Sequence, residues 1–160
     1  MPGGDSMAED VMVLARNRKA EHEFFIEERY EAGIELKGTE VKSCKNRSVN
    51  LKDGFAKIEK GEIFLYNVHI SHYNEGNQFN HEPTRTRKLL LHKREIKRLL
   101  GLTQQRRYTL IPLTFYVKDG IIKVELALAK GKQKHDKRES IKRKTMEREM
   151  EKALKEKQKY

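Results

Sequence analysis

The chain has 160 residues, with 35 Lys+Arg against 24 Asp+Glu and a formal charge of +11, which leaves room for one modest domain and an appendage. The single cysteine, Cys44, excludes an internal disulfide and a multi-cysteine zinc site, and apolar runs such as Leu89-Leu90-Leu91 are far too short to cross a membrane. Excess positive charge binds phosphate backbones by releasing their counterions, so nucleic acid is the expected partner; an anionic membrane surface would need a continuous apolar helix face or a lipid anchor, and neither is visible.

Residues 1–10 read as a disordered leader, in which Met1 to Ser6 precede a second start at Met7. No signal peptide is recognisable, so a cytoplasmic, reducing setting is expected. A basic cluster, Arg16-Asn17-Arg18-Lys19, comes before the first strand, Glu23 to Glu31, which places Phe24, Ile26 and Tyr30 on one face and stops before Gly33. Ile34 to Val41 reads as a second strand, and a short helix follows Thr39 through Lys45. Phe55 to Ile58, the turn Lys60-Gly61 and Ile63 to Val68 form a hairpin. Lys88 to Leu100 reads as a helix in which Leu89, Ile96, Leu99 and Leu100 share a face and Gly101 is the stop. Tyr108 to Val117 and Ile121 to Ala129 form a second hairpin about Asp119-Gly120, with Ile122, Val124, Leu126 and Leu128 on its buried face. This pattern predicts a mainly β domain over residues 11–130, a small, partly open barrel with one or two embedded helices rather than a sandwich. Oligonucleotide-binding barrels belong to that class.

Residues 130–160 carry 13 basic and 6 acidic side chains, a net of +7. Ile141, Met146, Met150 and Leu154 recur roughly every four residues, a stripe too thin to hold a helix against the barrel. The tail, residues 131–160, is expected to be disordered alone and helical against a partner.

Few residues suggest chemistry. His69 and His72 have the spacing of a metal pair, but no third ligand completes it, and they read as surface or structural groups. There is no nucleophile elbow, phosphate-cradling glycine loop or pair of catalytic carboxylates, so a binding protein without a cofactor is expected rather than an enzyme. Three basic segments, Arg16 to Lys19, Lys42 with Lys45, and Thr84 to Lys88, could converge on one face and contact phosphate and sugar, or could each be solvated charge. Tyr30, Tyr66 and Tyr73 could stack on bases, although strand aromatics are more often core.

Six segments, taken together and in order, resemble the SsrA-binding protein family, the bacterial partners of transfer-messenger RNA. They are Asn17 to Ala20, His22 to Glu28, Glu31 to Ser43, Asn50 to Asp53, Glu82 to His92, and Gly131-Lys132 with Asp136 to Arg138. The resemblance implies an oligonucleotide-binding barrel that holds the tRNA-like domain of transfer-messenger RNA. It also implies delivery of that RNA, with elongation factor Tu, to stalled ribosomes for trans-translation. By resemblance, the transfer-messenger RNA contacts map onto Asn17, Arg18, Lys19, Glu31, Lys42, Leu90 and Lys123. Gly131, Lys132, His135, Asp136, Lys137 and Arg138 match the segment that enters the decoding centre of the small subunit, with the rest of the tail a helix in the empty mRNA channel. Gln133, Cys44 and Arg107 depart from the family's usual residues.

Overall fold

A computed structural model describes residues 11–73, 80–105 and 108–132, and positions 145, 146, 148–150 and 152 of the tail. The leader lies outside the described residues. In chain order the elements are β1 (Val11–Arg16), α1 (Arg18–Glu23), β2 (Phe24–Ile34), α2 (Gly38–Lys45), β3 (Val49–Asn50), β4 (Phe55–Glu59), β5 (Glu62–Tyr66), β6 (His69–Ile70), β7 (Arg87–Leu90), α3 (Lys93–Thr103), β8 (Tyr108–Lys118) and β9 (Ile121–Gly131).

The antiparallel strands run β8–β4–β5–β7–β2–β9 and return to β8, with β1 added to β8 outside the ring. Closure is incomplete at one seam, where Ala56↔Leu110 is the pairing between β4 and β8. Both expected hairpins are present. Each turns on two residues with positive φ, Lys60 (52°) with Gly61 (77°) and Asp119 (52°) with Gly120 (80°), the tight-turn geometry whose twist matches that of the strands. Ile122, Val124, Leu126 and Leu128 all enter the core, together with Phe115, Leu110, Ile63, Leu65 and Leu89.

Three expectations shift. The strand expected first is β2, which is longer, running through Gly33 to Ile34, and is preceded by β1, so the basic cluster follows a strand that ends on its own Arg16. The expected second strand does not form, because the chain leaves β2 and turns into α2. There the Glu40 carboxylate accepts from the Lys37 N–H at 2.8 Å, which starts the helix. The expected helix from Lys88 splits. Glu95 caps the His92 N–H at 3.1 Å, so α3 begins only at Lys93. The preceding Arg87–Leu90 is free to pair, Leu89 with both Ile63 and Ile34. Leu89 is buried as a strand residue, Ile96 and Leu99 are buried on α3, and Leu100 faces outward. Gly101 does not stop the helix. Ring closure needed β7, and pairing overrode the local helical pattern.

A second small cluster explains where the open face lies. α1 folds over β8 and β9 so that Ala20, Ile111, Leu113, Ala127 and Ala129 pack with Phe24 and Ile26. The hairpin is therefore buried on both faces at this end, and its outer face opens only from Thr114 and Glu125 onward. On the opposite wall, Glu40 and Arg87 are buried as a pair, 0% and 1% exposed in their side chains. The Arg87 guanidinium also donates to the carbonyls of Val68 (2.7 Å) and Pro83 (2.9 Å). This fastens the end of β5, α2 and the approach to β7 together. Beside it, the buried His81 ring bridges Thr39 Oγ1 and the Ile70 carbonyl, both at 2.8 Å.

Of the tail, the six described positions between Thr145 and Lys152 are helical, in keeping with the high helix propensity of Met, Glu, Arg and Lys. Met146 and Met150 are 62% and 66% exposed. The remainder of the expectation for the tail lies outside the described residues, and among them no helix is long and apolar enough to cross a membrane.

Candidate nucleic-acid interface

Strand register brings distant residues into rows on the outer face. Leu90 lies opposite Gly33, Gly33 opposite Lys123, Lys123 opposite Tyr116, and Tyr116 opposite Val13. The next row is Glu31, Glu125, Thr114 and Arg16. The intervening residues Ala32, Val124 and Phe115 are fully buried, so these rows face out by the period of two. Three residues marked by resemblance, Glu31, Leu90 and Lys123, thus share one surface. Gly33 makes the first row close-knit: a Cβ there would stand 3.2 Å from Leu90 Cβ. Leu90 itself is 47% exposed, an apolar side chain presented to solvent.

Two clefts run along this face. One, of about 420 Å³, is lined by Val13, Arg16, Glu31, Thr114, Tyr116 and Lys118. The other, of about 340 Å³, is lined by Arg16, Arg18, Glu21, Arg29, Thr114 and Glu125. They share Arg16, Thr114 and Glu125 and so form one trough with cationic side chains along its length. Two of its carboxylates, Glu31 and Glu125, are held by neighbouring side chains. Tyr116 Oη donates to Glu31 Oε2 at 2.6 Å, and Lys118 Nζ lies 3.4 Å from the same oxygen. The Tyr116 hydrogen bond holds the Glu31 carboxyl below its ordinary range, against the upward push of burial, with help from Lys118 and Lys123. Burial, then Glu31, push the Tyr116 hydroxyl well up, so it stays a donor. Glu125 accepts from Arg29 and Thr114, both at 3.4 Å.

The other residues singled out in the sequence fall in different places. Asn17 is 8% exposed. Its Nδ2 donates to the carbonyls of Pro112 (3.0 Å) and Leu51 (3.3 Å), and its backbone N–H to Leu113 at 2.8 Å. It bridges the gap on β8 between the partners β4 and β1, where Pro112 interrupts the ladder, and it borders the trough from beneath. Arg18 lines the trough. Lys19 pairs with Glu23 at 3.5 Å along α1 and borders a neighbouring hollow beside Lys52. Lys42 is not brought to this face; its Nζ sits 5.3 Å from the ring centre of Tyr73, beside β6. Arg85 and Arg87, expected on the surface, are turned inward onto Glu40 because a buried carboxylate needs cationic partners. Tyr30 packs against the core and bonds Glu28, and Tyr66 stacks on Phe55 with centroids 5.4 Å apart.

Gly131 closes β9 opposite Phe24, and the Lys132 N–H donates to the Glu23 carbonyl at 3.0 Å. Lys132 Nζ reaches the Glu21 carbonyl at 3.2 Å and lies 4.9 Å from the centre of the Phe25 ring. Both residues are therefore anchored to the barrel, while His135, Asp136, Lys137 and Arg138 lie outside the described residues. Among the described residues no cluster of His, Cys, Asp and Glu could hold a metal; His72 packs edge-on against His81.

Arg16 was marked in the sequence as part of a basic cluster, and the structure brings it to this trough; Arg29, Thr114, Tyr116, Lys118 and Glu125 were not singled out. Alternation along β8 could have placed Thr114, Tyr116 and Lys118 on one face, but only register shows that this face adjoins Glu31.

Comparison with known proteins gives concordant results. The family model described as SmpB protein matches residues 14–156. The SsrA-binding protein of Geobacillus thermodenitrificans (strain NG80-2) is 58% identical over 159 residues, 99% of each chain. That of Bacillus subtilis (strain 168) is 56% identical over 147 residues, 92% of this chain and 94% of its own. A solved structure described as "tmRNA-SmpB: a journey to the center of the bacterial ribosome" is similar with a TM-score of 0.66 at 46% identity, covering 82% of this chain and 94% of the other.

Proposed function

Since this chain belongs to the SsrA-binding protein family, we propose that it binds the tRNA-like domain of transfer-messenger RNA and delivers it to stalled ribosomes for trans-translation. It acts as a cytoplasmic adaptor and not as an enzyme. The observation that carries the reading is the convergence of Glu31, Leu90 and Lys123 on one outer face, beside a trough lined by Arg16, Arg18, Arg29 and Lys118. Cations along the trough suit phosphates, Leu90 suits the face of a base or sugar, and Glu31 accepts from a ribose or base donor. Asn17 supports this surface from below, with Arg18 and Lys19 beside it. Lys42 would need a separate RNA contact.

In this reading residues 131–160 serve the ribosome. A basic segment entering an empty mRNA channel gains helix and phosphate contacts together, and mRNA already in the channel excludes it. Gly131 and Lys132 root the segment on the barrel. His135, Asp136, Lys137 and Arg138 then meet the decoding centre.

Titration with transfer-messenger RNA and with an unrelated RNA of similar length, across a range of salt, tests the first part. Binding to transfer-messenger RNA is expected to survive salt better; equal loss for both would make this a general RNA-binding barrel. Truncation after Lys132 keeps β9 and its anchoring bonds whole. It is expected to leave RNA binding nearly intact and to abolish tagging on stalled ribosomes, and retained tagging would end the proposal for the tail.

A further inference from the structure

The Glu31 carboxylate is one of three beside a trough otherwise suited to a polyanion, with Glu125 and Glu21, and the sheet fixes how it is presented. Both of its bonds, from Tyr116 Oη at 2.6 Å and Lys118 Nζ at 3.4 Å, end on Oε2. Oε1 has no partner among the described residues. The Tyr116 hydroxyl has one proton to donate and spends it on Glu31, so it has none left for RNA. Tyr116 stands opposite Lys123 and Val13 in the row next to Glu31.

We infer that Tyr116 is a positioning residue, which locks the Glu31 side chain so that Oε1 accepts a hydrogen bond from one donor on the RNA, either a ribose hydroxyl or an exocyclic base amine. This rests on the RNA-binding reading above. Two physical consequences support it. A free glutamate loses rotamer freedom on binding, and one already held by Tyr116 loses little. A fixed carboxylate beside Lys118 and Lys123, with Glu125 opposite it and Arg16 at the far end of the same row, repels a phosphate at its own position while the cations attract phosphates to either side, so it sets the register of the backbone over the trough. The contact selects by the donor it meets rather than by charge.

Tyr116→Phe removes the hydroxyl alone. Affinity of the full chain for transfer-messenger RNA is expected to fall about three- to tenfold, the worth of one neutral-donor hydrogen bond. The salt dependence should stay unchanged because no cation is lost. On a Glu31→Ala background the same substitution should cause no further loss. Wild-type binding by Y116F, or an equal loss on both backgrounds, overturns the inference. If Y116F melts early, Glu31→Gln reads the contact with Tyr116 in place; about a tenfold loss is expected, and wild-type binding overturns it. RNAs carrying single 2′-deoxy positions, or nucleotides without the exocyclic amine, identify the donor: at one position the loss caused by E31A should vanish. If that loss persists with every substituted RNA, no such donor exists and the inference fails. Should the wild type show no preference for transfer-messenger RNA, the functional reading falls, and the Y116F cycle on whichever RNA binds still decides the role of Tyr116.

Discussion

Replacing Glu40 by glutamine tests whether the buried ion pair holds the wall opposite the trough. The side chains of Glu40 and Arg87 are 0% and 1% exposed, whereas Arg85 is 26% exposed and can turn to water. Breaking a buried pair by removing one partner costs about 3–5 kcal/mol, because the remaining charge is left inside. Here Arg87 keeps its bonds to the carbonyls of Val68 and Pro83, and the amide can still accept from the Lys37 N–H. The lower end, about 3 kcal/mol, is therefore expected, which for a domain of this size lowers the melting temperature by roughly 10 °C. Urea unfolding followed by circular dichroism measures it, with an unchanged slope and a lower midpoint. Arg87→Met should cost as much or more, since it orphans the carbonyls as well. The double variant should cost at least about 1 kcal/mol less than the sum of the two. A loss below about 1 kcal/mol for E40Q, or simple additivity, would refute the account of α2 and β7 as fastened by this pair.

The same carboxylate makes stability depend on acid. Burial pushes the Glu40 carboxyl up, but hydrogen bonds from Arg85, the Lys37 N–H and Arg87 pull it further down. A lowered folded-state value means that its contribution is complete above the ordinary glutamate range and is lost as pH falls through the folded value. Urea midpoints should hold from about pH 7 to 5.5 and drop below about pH 4.5, with a shallower drop in E40Q. Gly54→Ala should destabilise the barrel by about 1–3 kcal/mol, because its Cβ would stand 2.7 Å from Val68 Cγ2 and 2.9 Å from Pro112 Cγ; a neutral result by thermal melting would show slack in that corner. Lys123→Met should weaken binding to all RNAs alike and reduce the slope of affinity against salt by about 0.7–0.9, the share of one phosphate. An unchanged slope would remove Lys123 from the phosphate path.

Local chemistry made much of this protein legible in its sequence. The two hairpins were visible because Lys60-Gly61 and Asp119-Gly120 can take up positive φ. The inner face of β9 was visible because Ile122, Val124, Leu126 and Leu128 alternate with Lys123 and Glu125. Charge and patterning marked off the tail, the motif segments contained Glu31 and Leu90, and the family resemblance added Lys123. Tertiary structure alone decided that Leu89 belongs to a strand, that Arg87 points inward, that Asn17 braces a broken ladder, and that Tyr116 reaches Glu31. Each of these depends on which strands become neighbours when the barrel closes, through pairings between residues such as Glu31 and Tyr116 that are 85 positions apart. Periodicity tells which side of a strand a residue occupies. The register of closure tells what stands beside it, and that register is set by burying the whole core at once.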